Sequence, residues 1–163
     1  MRIETLADLH RRNAWLHGER VAIVHDGRTT TYAQLLRQAQ GLAQHLAGQG
    51  VVAGDRVAIL ARNRAEVIVT LAACELAGYV AVGLNHRLAA PELATICADC
   101  APALLVVDPA LAALAGSLLA LWSPARGVLP MAGDDFAAAC ATPPGEATRV
   151  GAVGPGDLAY LLY

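Results

Sequence analysis

The chain has 163 residues, a formal net charge of −2 and a hydrophobic fraction of 56%. That length suits one compact domain or one large subdomain, and with no basic stripe or acidic tail the charge gives no reason to expect a nucleic-acid partner. Lys and Arg together number 12 and all are Arg, which excludes a Walker-type phosphate lysine and a Schiff base within these residues.

The hydrophobic fraction exceeds the roughly 45–50% usual for soluble domains. It fits apolar faces that meet a further segment, and equally a simple Ala and Leu bias. Residues 5–16 predict a first helix, with Leu6, Leu9 and Leu16 on an apolar stripe and Gly18 as its stop. A hairpin follows, in which Val21-Ala22-Ile23-Val24 and Arg28-Thr29-Thr30-Thr31 flank His25-Asp26-Gly27; Asp-Gly is a favoured tight-turn pair. Thr31 and Gln34 have the spacing of a capping box at the head of a long helix. On it Leu35, Leu36, Ala39, Leu42, Ala43 and Leu46 share one face, and Gly48 and Gly50 end it.

From Arg56 onward, short apolar runs alternate with helical patterns. Strands are expected at 56–60, 80–82 and 104–107, with a weaker one at 127–129. Between them lie a helix capped by Asn63 with Glu66 at the box position and closed by Gly78, and helices at 91–100, 109–121 and 134–140. Residues 84–88 read as a loop. Residues 141–156 hold three Pro and four Gly and read as a connecting loop. A last strand is expected from about Leu158. The fold class is therefore α/β: a mainly parallel sheet flanked by helices on both faces, plus a small N-terminal β-hairpin.

Several site classes find no support. The glycine run 151–156 has the wrong order for a dinucleotide fingerprint and precedes a strand. Cys97 and Cys100 have no second close pair, and Cys74 and Cys140 stand apart, so structural thiols are expected over zinc or redox chemistry. The His residues have no metal-ligand spacing, and no Ser sits in a nucleophile elbow. Neither catalytic nor metal-binding residues are expected. The apolar run 110–122 is too short to span a bilayer, and no signal-peptide pattern opens the chain, so a cytoplasmic setting is the default.

One series of segments carries meaning by resemblance. Thr31-Tyr32-Ala33-Gln34-Leu35, Gly54-Asp55-Arg56-Val57-Ala58-Ile59, Asn63-x-x-Glu66 with Ala72 to Tyr79, Leu84-Asn85-His86-Arg87-Leu88 with Glu92-Leu93, and Asp157-Leu158-Ala159-Tyr160-Leu161-Leu162-Tyr163 follow one another in the order found in AMP-forming acyl-CoA synthetases. The chain resembles the N-terminal part of these adenylate-forming enzymes. Residues 1–140 resemble their α/β subdomain, 141–156 the connecting loop, and 157–163 the strand that directly precedes the phosphate-binding loop.

The resemblance implies a ligase that joins a carboxylic acid, fatty or aromatic, to CoA through an acyl-adenylate, using ATP and Mg2+. It implies that the parts gripping ATP follow Tyr163, so that this chain alone is inactive and binds none of these cofactors. It places Arg87 near the CoA nucleotide phosphates; the residues themselves also allow Arg87 to tie down its own loop through backbone carbonyls or an acidic neighbour. Apolar surface at the sheet edge is compatible with a homodimer. A free-standing, non-catalytic α/β interaction module is the alternative reading.

Overall fold

The computed structural model describes residues 2–143 and 153–163. Thr5 caps the first helix, α1 (Leu6–His17), and Asp8 completes a capping box. The hairpin strands β1 (Val21–His25) and β2 (Arg28–Thr31) are antiparallel. Their turn places Asp26 at φ 47° and Gly27 at φ 71°, the left-handed pair that a tight hairpin requires. Thr31 and Gln34 close the expected capping box on α2 (Tyr32–Gly48).

A five-stranded sheet follows, in the order β6-β5-β3-β4-β7 with every neighbouring pair parallel. Its strands are β3 (Arg56–Leu60), β4 (Val80–Leu84), β5 (Leu104–Val107), β6 (Val128–Pro130) and β7 (Tyr160–Leu161). The helices between them are α3 (Ala65–Ala77), α4 (Ala90–Cys100), α5 (Ala112–Leu119) and α6 (Gly133–Cys140).

Alternate strand residues point to opposite faces, and this divides the core. Val57, Ile59, Leu104 and Val106 pack with α1, α2, α3 and α6. Ala58, Leu60, Leu105 and Val107 pack with α4 and α5. Leu42, Leu46, Leu93 and Leu118 are fully buried from their helices, each contributing about 1.5–3 kcal/mol of transfer free energy. The expected parallel sheet with helices on both faces and a separate hairpin is therefore the observed architecture.

Several boundaries differ from the sequence reading. Asn63 does not cap α3; Arg64 occupies the N-cap position and makes no side-chain cap bond, because a guanidinium has donors only and a cap needs an acceptor for the helix N–H groups. Leu84 belongs to β4, where it pairs with Leu60. The helix expected over 109–121 opens as a 3-10 turn, Pro109–Leu111, before α5. The last strand is only two residues long and begins at Tyr160. Most of the expected loop 141–156 lies outside the described residues.

Candidate functional site at the carboxyl edge of the sheet

Parallel register decides which loops share an edge. Leu60 is level with Leu84 and with Val107, and Val82 is level with Leu161. Residues 61–64, 85–88 and Asp108 therefore stand together beyond the strand carboxyl ends. Helix α3, after β3, lies on one face of the sheet, whereas α4 and α5, after β4 and β5, lie on the other. Neighbouring strands whose following helices diverge mark the edge at which open α/β sheets bind ligands.

Asp108 organises part of the edge. It is 4% exposed. One carboxylate oxygen accepts the Ala110 N–H at 3.0 Å and the other the Arg62 N–H at 3.3 Å. The Arg64 guanidinium meets it at 2.7 Å and grips both oxygens of Glu66 at 2.8 and 3.0 Å. Burial works to raise the Asp108 carboxyl, but the Ala110 and Arg62 amides and the Arg64 cation outweigh it and hold the group below its ordinary value. Arg64 likewise holds Glu66 down against burial. Arg64 is thus spent on joining β3, α3 and β5, and is not free for a ligand.

The candidate Arg87 has a different environment. Asn85 shapes its loop: the Asn85 Oδ1 accepts the Arg87 N–H at 3.1 Å, and the Asn85 carbonyl accepts the Leu88 N–H at 3.0 Å. This is a turn-forming role, common for Asn. Arg87 is exposed, and among the described residues no hydrogen bond or ion pair engages its guanidinium. Its loop is held by Asn85, so the side chain is not needed to tie it down. Exposed Arg62 shares the edge, two residues past the end of β3.

Other residues of the resemblance are structural. The Asp55 carboxylate accepts the Val52 N–H at 3.0 Å. Arg56 donates to the carbonyls of Cys100 at 2.6 Å and Ala101 at 2.9 Å, satisfying the end of α4 where a cation also suits the helix dipole. The Tyr163 hydroxyl donates to Asp99 at 2.5 Å. Cys74, Cys97 and Cys100 are buried free thiols and Cys140 is half-buried. Burial pushes the Cys97 thiol up to about 11 and the Cys140 thiol up to about 12, the inert range expected of structural cysteines.

The architecture defines a class: a parallel α/β domain covered on both faces, with a cluster of loops beyond the strand carboxyl ends. The chain belongs to the AMP-binding enzyme family, whose profile matches residues 10–163. It is 40% identical over 109 residues to the feruloyl-CoA synthase of Amycolatopsis sp, covering 67% of this chain and 22% of that relative. The fold is similar to the Mycobacterium tuberculosis fatty acyl CoA synthetase, with a TM-score of 0.85 and 25% identity over 98% of this chain and 32% of that one. It is also similar to the Bacillus subtilis O-succinylbenzoate coenzyme A synthetase in complex with ATP and magnesium ion (TM-score 0.66, 29% identity, 75% of this chain and 32% of that one). The chain thus spans about a fifth to a third of the length of these relatives. No helix among the described residues is long and apolar enough to cross a membrane.

Proposed function

We propose that this chain forms the first sheet segments of an ATP-dependent acid–thiol ligase of the acyl-CoA synthetase type. In the first half-reaction a carboxylate oxygen attacks the α-phosphorus of ATP and pyrophosphate leaves. In the second, the CoA sulfur attacks the acyl carbon, the bond to AMP breaks, and the thiol proton passes to a base or solvent. The observation that carries this reading is the family match running from residue 10 to 163. The substrate is a fatty or aromatic acid, in keeping with the names of the feruloyl, succinylbenzoate and fatty acyl relatives. A cytoplasmic setting, where ATP and CoA are at hand, agrees with it.

Residues 1–140 serve as scaffold, 141–156 connect, and 157–163 lead toward the nucleotide. Arg87 contacts the CoA nucleotide phosphates. Its free guanidinium supports this role, since a planar fork of donors suits a phosphate. The described residues do not fit a divalent cation. No group of three or more His, Cys, Asp or Glu side chains is arranged to hold one, and the edge carboxylates Asp108 and Glu66 are both spent on Arg64. The Mg2+ that accompanies ATP is therefore assigned no ligand here.

The chain alone is inactive on this reading, because it offers no Lys and its half-buried Arg64 is already paired. Titration calorimetry of the chain with Mg2+-ATP is expected to show weak binding or none; tight binding would overturn that. In an intact synthetase carrying these residues, Arg87→Ala is expected to raise the KM for CoA and leave ATP–pyrophosphate exchange unchanged. An unaltered CoA dependence would remove Arg87 from the site.

A further inference from the structure

Glu75 lies on α3 with its side chain 9% exposed. One carboxylate oxygen meets the His10 Nε2 from α1, and the other accepts the Tyr160 hydroxyl from β7. These partners are 65 and 85 residues away in sequence. The adjoining cleft, about 200 Å³, is lined among others by Glu4, Tyr79 and Asp157 and, among the described residues, by no Arg. Among the described residues, His10 and Tyr160 are the groups that answer the Glu75 charge.

Besides the packing of Leu161 against the α4 and α5 side of the core and the Tyr163 bond to Asp99, the strand they hold has only a short ladder. β7 pairs with β4 through Ala81–Tyr160 and Val82–Leu161 alone, with one more bond from the Ala81 N–H to the Ala159 carbonyl at 2.9 Å. So short a ladder at a sheet edge is marginal by itself. A hydrogen bond to a charged carboxylate is worth more than a neutral ladder bond. β7 runs toward the carboxyl edge, and its last paired residue, Leu161, is level with Val82, two residues before Leu84.

We propose that Glu75, braced by His10, is a positioning residue that fixes the exit of β7 through the Tyr160 hydroxyl, and so sets where the chain leaving β7 meets the nucleotide. This rests on the ligase reading for its ligand, but the latch itself is a property of the fold. It explains why a carboxylate sits on the inner side of α3 between a helix and a strand that otherwise share few contacts with each other.

Hydrogen exchange followed by mass spectrometry tests the latch. Tyr160→Phe removes only the hydroxyl and is expected to speed exchange in the β7 amides about tenfold, with β5 unchanged. Glu75→Gln keeps an acceptor oxygen and should have a smaller effect than Glu75→Leu. Adding Tyr160→Phe to Glu75→Leu should change β7 no further, since the two act through one contact. Unchanged β7 exchange in Tyr160→Phe, or additive effects, would overturn the latch. In an intact synthetase carrying these residues, Tyr160→Phe should lower kcat/KM for ATP roughly tenfold and leave the KM for CoA in place. Faster β7 exchange with unaltered ATP kinetics would overturn the positioning role. Absence of ATP–pyrophosphate exchange in the parent enzyme would instead sink the ligase reading, and the β7 comparison would then decide the latch alone.

Discussion

The Arg64 guanidinium and the Asp108 carboxylate meet at 2.7 Å although 44 residues separate them in sequence. The pair joins the loop after β3 to the turn after β5, and both side chains are largely withdrawn from water. Removing one partner leaves the other's charge poorly compensated, which costs more than the bond contributed. Arg64→Met is therefore expected to lower the unfolding free energy by about 2–3 kcal/mol, measured by urea denaturation. A loss no larger than that of an exposed-site change such as Arg87→Ala would show that the pair is not a structural tie. Arg87→Ala itself should stay within about 0.5 kcal/mol of the parent.

The same cluster sets an acid dependence. Asp108 and Glu66 both have folded-state values held below their ordinary values of 3.8 and 4.5. Groups depressed on folding contribute stability that is present above the unfolded value and lost as pH falls through the folded one. The urea midpoint should thus hold steady at neutral pH and fall as the medium is acidified past 4.5 and then 3.8. Arg64→Met should flatten that fall; an equally steep acid limb in the variant would place its origin elsewhere.

Glycine substitutions should split by packing. A Cβ built on Gly41 would run into the backbone carbonyl of Cys140, where α2 crosses α6, whereas one on Gly48 would meet nothing within 4 Å. Backbone cannot swing aside as a side-chain tip can. Gly41→Ala is expected to destabilise by about 1–3 kcal/mol despite the better helix propensity of Ala. Gly48→Ala should be neutral or gain up to about 1 kcal/mol. Thermal denaturation of the two variants side by side checks the contrast.

Thiol labelling should follow burial. With a disulfide exchange reagent under native conditions, half-buried Cys140 is expected to react slowly. Buried Cys74, Cys97 and Cys100 should stay unmodified until the chain is unfolded. Rapid native labelling at Cys97 or Cys100 would contradict the packing of α4 against the sheet.

Where a structural signal is local, the sequence carried it. The Thr31–Gln34 box, the Asp26-Gly27 turn and the run Leu104–Val107 need only neighbours along the chain, and each stands where expected. The Asn63 box did not form: the Glu66 carboxylate that would close it is held by Arg64, which also reaches the distant Asp108. Gly41 was equally hidden. Its apolar neighbours on α2 marked a buried face, but its own role depends on Cys140, about a hundred residues away in a separate helix.

Periodicity, capping residues and turn pairs were enough by themselves to establish an alternating α/β chain, and the ordered motif series was enough to identify the family. Strand order, the shared edge of residues 61–64, 85–88 and Asp108, and the His10–Glu75–Tyr160 contact were decided only in three dimensions. The physical reason is that local signals fix backbone torsions within a few residues. Pairing a strand or burying a charge depends instead on what a distant segment brings to the same place, and that information is spread across the whole packed core.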